Sequence, residues 1–199
     1  MKPALPTVLL SVLLAPFAHA DKGLHAEIST FIHSQQPDGP WRLESLVGGD
    51  LDGDGDQDAL LLLQRIEKVE KADEEGSRRL LILRRNDAGR LELHSHNDKA
   101  VFCRQCGGVY GDPLAGMSIG RKGFRIEHYG GSGWRWSNSF TFAFSRRDQD
   151  WQLIEVQRES FHASTPDEIE AVRHRPPGHF GLIAFRDFAP DDYLGRGKR

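Results

Sequence analysis

Asp50, Asp52, Asp54, Asp56 and Asp58 alternate through the run GGDLDGDGDQDALLLL, five carboxylates within nine residues. Charges this close repel one another, and folding them into a tight loop is costly unless a cation lies between them. Gly53 and Gly55 let the backbone curl around such an ion. The all-oxygen donor set points to Ca2+, ahead of a solvated acidic turn with no ion and then of Mg2+. No Ser-His-Asp order and no HExxH motif stands beside the run, so a structural role is expected ahead of a catalytic one.

With Asp50 at the first position, Asp52 and Asp54 take the third and fifth positions of an EF-hand order. Gly55 takes the sixth, the carbonyl of Asp56 the seventh and Asp58 the ninth. The twelfth position is Leu61 and not the bidentate glutamate, so waters or a distant carboxylate must complete the shell. Glu44, Glu67 and Asp112 are the donors considered. The run resembles the DxDxDGxxD loops of FG-GAP and VCBS modules and of dockerins. That resemblance implies Asp50, Asp52, Asp54 and Asp58 as metal ligands. In FG-GAP and VCBS modules, as here, the loop leads into an apolar strand. The likeness covers about 20 residues. Those families repeat the loop and this chain has one copy, which argues against a propeller or a cellulosomal module.

Cys103 and Cys106, in CRQCGG, are the only cysteines. In an oxidising compartment they pair with each other or with another chain, and a disulfide across two intervening residues is sterically allowed. A thioredoxin-like redox pair needs its first cysteine at a helix N-terminus. Here an apolar, strand-like Ala100-Val101-Phe102 precedes the pair and glycines follow it, which favours a structural bridge. A zinc site lacks a second CxxC.

The segment Ile126 to Trp136 holds Tyr129, Trp134, Arg135 and Trp136 around a glycine-rich turn. If a strand continues past the glycines, Trp134 and Trp136 share one face and Arg135 takes the other. The four form a possible surface for an exported protein or a glycan, although packing of the tryptophans into the core is the simpler expectation. His128, His162, His174 and His179 are scattered and expected to be solvated. Asp112, Glu127 and Glu155 lie on or near strands. They are the carboxylates a hydrolase would need facing each other across a groove.

The order GDLDGDGDQDALLLL, RLLIL, CRQCGG, HYGGSGWRW and TFAFS resembles uncharacterised secreted or periplasmic proteins of Gram-negative bacteria, across roughly residues 41–160. The resemblance implies an exported single domain and no known reaction.

The elements that must position these residues read as mainly β, with α+β as the alternative. A central antiparallel sheet or small β-sandwich is expected, with short helices near both ends. Leu24, Ile28, Phe31 and Ile32 give residues 24–35 a helical apolar face, closed by Pro37, Gly39 and Pro40. Strands are expected at 41–47, 80–84, 90–94, 99–102, 117–119, 123–129, 135–145, 151–158 and 180–185. Residues 59–66 read as a buried strand in preference to a helix. The charged 67–78 segment reads as a solvated loop or a frayed helical extension. Thr165-Pro166-Asp167-Glu168 is a capping box with proline at the first helical position, so a helix to about His174 is expected.

Lys2, the apolar stretch from Val8 to Ala18 and Ala18-His19-Ala20 read as a signal peptide, residues 1–20, with the mature chain starting at Asp21. No cysteine stands at the cleavage point, so no lipid anchor is expected. Residues 21–199 then form a single domain with a loose tail from about 187. A formal charge of −3 does not suggest nucleic acid or an anionic membrane as partner. The expected protein is a periplasmic or secreted, non-catalytic calcium binder with a protein or glycan ligand. The alternatives are an inhibitor or immunity protein of an exported enzyme, and a carbohydrate or peptidoglycan hydrolase of the cell envelope.

Overall fold

Apolar residues in an unbroken run, as at Leu60–Leu63, fit a strand only where both of its faces are covered. The computed structural model, which describes residues 17–35, 41–66 and 77–197, supplies that cover with three layers. Among the described residues, helix α1 (Phe17–Gln35) is followed by nine strands: β1 (Trp41–Gly49), β2 (Asp58–Arg65), β3 (Arg78–Arg85), β4 (Leu91–Asn97), β5 (Leu114–Gly120), β6 (Gly123–Gly131), β7 (Trp134–Ser145), β8 (Asp150–His162) and β9 (Glu170–His174). The strands form two antiparallel meanders, β1-β2-β3-β4 and β5-β6-β7-β8-β9.

Leu60, Leu62, Leu80 and Ile82 face the second sheet and pack with Phe124, Ile126, Phe140, Phe142 and Trp151. Leu61, Leu63, Leu81 and Leu83 face the other way and pack with Leu24, Ile28 and Phe31 of α1. The alternation in the second sheet follows the same rule. Phe140 and Phe142 are buried, while Thr141 and Ala143 are on the opposite face. Among the described residues, no helix is long and apolar enough to cross a membrane.

Several expectations are corrected. The capping-box segment makes only a turn, with Glu168 N–H donating to Thr165 O. The residues that follow are β9, which pairs with β8 from Val156↔His174 to Ser160↔Glu170. Ile169 and Val172 are both exposed there, so a helix would have had no apolar stripe to bury. The long β8 instead offers a free edge that satisfies the backbone of this segment. Residues 99–102 form no strand, because Ala100 and Val101 plug the core where the chain crosses from one sheet to the other. Residues 180–185 reach the sheet only through a single bridge, Gln152↔Ala184, before a short 3-10 turn at Phe185–Asp187.

The segment expected to be loose also packs. Phe188 and Tyr193 are buried in the inter-sheet core, and Asn97 Nδ2 donates to Phe188 O at 2.8 Å. Two large aromatics spaced along a polar tail are enough to anchor it. Arg78, placed by sequence in a solvated loop, opens β3 and is buried. Lys2, residues 8–16, Pro37, Gly39, Pro40 and the charged stretch 67–76 lie outside the described residues.

Candidate metal centre

The acidic loop is the connection of the β1–β2 hairpin and it is rigidly seated. Leu51, its second residue, is fully buried in the inter-sheet core. Leu51 O accepts from Trp151 Nε1 at 3.0 Å, across the sandwich. Gly53 has φ +81° and Gly55 φ +100°, the left-handed region that L side chains rarely adopt. At Gly53 a Cβ would also strike the Lys122 side chain, which lies over the loop from the β5–β6 turn.

The carboxylates divide their work. Asp50 Oδ1 and Oδ2 accept from the amides of Gly53 (2.6 Å) and Gly55 (3.2 Å). Asp52 Oδ1 accepts from Asp54 N–H at 3.0 Å, and Asp54 Oδ1 from Asp56 N–H at 2.9 Å. Asp58 is fully buried and staples three elements, accepting from Leu51 N–H at 2.9 Å and Arg85 N–H at 2.8 Å. Asp50, Asp52 and Asp58 each bring one oxygen into a group whose members all lie within 4.8 Å of one another. Asp54 and Asp56 are exposed and stand outside that group of three. Burial pushes the Asp58 carboxyl above its ordinary value; the two amide bonds oppose the rise, and the charges of Asp52 and Asp54 add to it. A cation in the centre relieves both the burial and the repulsion. The arrangement is a cluster of acidic residues positioned to coordinate a divalent cation.

The distant carboxylates considered as further ligands are committed elsewhere. Arg78 takes both Glu44 and Asp112, with Nη2 to Glu44 Oε1 at 2.6 Å and Nη1 to Asp112 Oδ1 at 2.9 Å. Glu67 lies outside the described residues. Leu61 at the twelfth position belongs to the helix-facing core.

One basic residue at the loop was not foreseen. Arg84, from β3, forms an ion pair through Nε with Asp52 Oδ2 and reaches Asp54 Oδ2 with Nη2 at 3.4 Å. Nothing in the spacing of RRLLILRR marks Arg84. Its role follows only from the pairing of β2 with β3, which stands the end of β3 beside the loop.

Cys103 and Cys106 are joined as a disulfide that closes a turn, with Cys106 N–H donating to Cys103 O at 3.1 Å. Cys103 begins no helix, so the dipole that lowers the thiol pKa in helix-borne redox pairs is missing. The loop is so short that its closure removes little chain entropy. The Cys103→Ser/Cys106→Ser variant is expected to lose on the order of 1 kcal/mol in urea denaturation. A loss of several kcal/mol would show that the bridge also holds Arg104, one of the two residues inside it, against Glu44 and Asp112, each 3.5 Å away.

The four residues of the possible binding surface do not make one patch. Trp134 is 61% exposed and stands edge-on to the His162 ring. Trp136, on the same face, is half-buried against Phe102. Arg135 faces the other side, as the alternation requires, with its guanidinium 4.5 Å from the centre of the Tyr110 ring, which also meets Tyr129. His128 is not solvated: it is 1% exposed, on the inward face of β6, beside Phe102 and Phe140.

The hydrolytic carboxylates are likewise occupied. Burial would raise the Asp112 carboxyl, but bonds from Arg78 and the Leu114 amide, together with Arg104, bring it below its ordinary value. An acid held ionised this way is a poor proton donor at neutral pH. Glu155 Oε2 accepts from Arg175 Nε at 2.6 Å. Glu127 is exposed, with Arg125 at 3.9 Å.

No protein-family model matches the chain, and comparisons with curated proteins and with solved structures find no match either.

Proposed function

We propose that the chain is an exported, calcium-stabilised, non-catalytic domain that acts by binding an exported protein or a glycan. The observation that carries the metal half of this reading is the meeting of Asp50, Asp52 and Asp58 in one rigidly seated loop. Calcium is favoured over magnesium because the donors are all oxygen, carry several negative charges and sit on a loop whose outer half is solvated. Mg2+ demands a stricter octahedron and gives up its waters reluctantly. Asp54 and the carbonyl of Asp56, with water, are the remaining donors of the proposed shell.

Export is supported by the disulfide, because such bonds persist in oxidising compartments. A binding role is supported by the exposed Trp134, Tyr110 and Val109, large apolar side chains presented around one end of the second sheet. Catalysis is disfavoured by the ion pairs that occupy Asp112 and Glu155.

Thermal unfolding of the oxidised protein tests the metal half. Calcium at about 30 times its Kd adds about 2 kcal/mol by mass action, or about 4–8 °C for a domain of this size. The rise is expected to vanish in Asp52→Asn and to be much smaller with Mg2+. No shift in either protein, with calorimetry equally silent, sinks the calcium reading.

A further inference from the structure

Resting on the reading of the loop as a cation site, we infer that Arg84 is a tethered counter-ion that an incoming divalent cation must displace. The site then works by exchange, an internal guanidinium for an external cation.

The loop's own amides take Asp52 Oδ1 and Asp54 Oδ1. That leaves Oδ2 of each, the third- and fifth-position oxygens that a calcium loop of this order turns toward its ion. Arg84 contacts these same two atoms, Asp52 Oδ2 through Nε and Asp54 Oδ2 through Nη2.

Arg84 Nη2 donates a hydrogen bond to Asp54 Oδ2, whereas the contact with Asp52 is electrostatic and poorly directed. The Asp52 side chain is only 2% exposed, yet its Oδ2 accepts no hydrogen bond, and the buried Arg84 Nε donates none. Buried polar atoms ordinarily find hydrogen-bond partners. A buried carboxylate oxygen that has a charge beside it but no donor aimed at it is suited to a ligand with no directional demand, which describes a metal ion.

Arg84 also has another place to go. It stands opposite the exposed Glu92 in the β3–β4 register, a carboxylate held through Oε1 by Asn86 Nδ2, and even at the loop its guanidinium lies 5.8 Å from the Phe144 ring. Release from the loop therefore does not strand a charge. Two consequences follow. Without metal, Arg84 offsets part of the repulsion among the aspartates, so the hairpin stays formed. With metal, the guanidinium opposes binding, so the site fills only where calcium is abundant.

Calorimetric titration of CaCl2 into the oxidised full chain and into Arg84→Gln, at low and at moderate salt, is the test. Arg84→Gln is expected to bind about tenfold more tightly, because the like charge beside the ion is gone. Equal or weaker binding by a folded Arg84→Gln, while the unaltered chain binds, overturns the exchange and leaves the metal site standing. No binding by either overturns the metal reading and the exchange with it.

If Arg84→Gln fails to fold, the unaltered chain still decides the matter. The NMR signal of Arg84 Nε–Hε is expected to move on calcium addition, while that of Arg79, whose Nε donates to Asp98 Oδ1 away from the loop, stays. A stationary Arg84 signal alongside shifting loop amides overturns the inference.

Discussion

Replacing Arg78 with methionine is expected to cost about 3 kcal/mol, a large share of what a domain of this size has to lose. Arg78 is 5% exposed and its guanidinium is fully engaged. Nε and Nη2 donate to the two oxygens of Glu44 at 3.1 and 2.6 Å; Nη1 donates to Asp112 Oδ1 and to Phe102 O, both at 2.9 Å. One side chain thereby ties β1 and β3 of the first sheet to the chain entering β5 of the second.

Methionine matches the length of the stem but leaves two carboxylates facing each other without their shared cation. Breaking a buried pair from one side typically costs ~3–5 kcal/mol. The lower end applies here because the Asp112 side chain is one-third exposed and Arg104 remains close to both acids. Urea denaturation at neutral pH reads the loss. Adding Glu44→Gln and Asp112→Asn to Arg78→Met should restore a good part of it, because the uncompensated charges are then gone. A single variant that loses under about 1 kcal/mol would contradict this account.

Acid is expected to weaken the protein through His128 as the pH falls below about 6.5. Burial, assisted by the charge of Arg78 and opposed by Asp112, brings the imidazole down to about 4 from an ordinary 6.5. The folded protein therefore refuses a proton that the unfolded chain accepts. Stability is fully present above about pH 6.5 and falls as the pH drops toward 4. The whole window is worth about 3 kcal/mol at 1.36 kcal/mol for each pH unit of difference.

The structure supplies a second reason for the refusal. His128 Nε2 accepts from Phe102 N–H at 3.4 Å, a role that the protonated ring gives up. Denaturation midpoints at pH 7.5, 6, 5 and 4.2 follow the loss. His128→Phe, whose ring suits the neighbouring Phe102 and Phe140, should flatten the curve in that window. An unchanged slope in His128→Phe would place the acid sensitivity elsewhere. Asp112 acts in the same direction at lower pH, since a carboxylate brought below its ordinary value contributes stability that disappears as it is protonated.

The readable parts of this chain were those whose physics is local. Alternating aspartates with glycines between them repel and curl whatever surrounds them, so the loop was visible at Asp50–Asp58 before any fold was known. Two cysteines three residues apart, with no others, have few options. The β7 pattern of Phe140, Phe142 and Phe144 is itself a statement about one buried face.

Residues whose fate depends on a distant partner were not readable. Arg78 looked like part of a solvated charged run until strand pairing carried it to Glu44 and Asp112. His128 looked like a surface histidine until Phe102 and Phe140 enclosed it. Thr165–Glu168 carried a true local signal for a helix, yet the open edge of β8 took the following residues into the sheet.

The amino-acid sequence by itself determined the chemistry available: a cluster of carboxylates on a backbone able to wrap an ion, a bridgeable cysteine pair, and strands of alternating polarity. Charge repulsion, backbone freedom and side-chain period act over a few residues and need no fold to be evaluated. Only the tertiary structure decided which charges meet. It gave Glu44 and Asp112 to Arg78 instead of to the loop, and it set Arg84 against Asp52 and Asp54 of the loop. The reason is that an ion pair buried between strands is chosen by register and layer packing, and neither can be read from the spacing of residues along one strand.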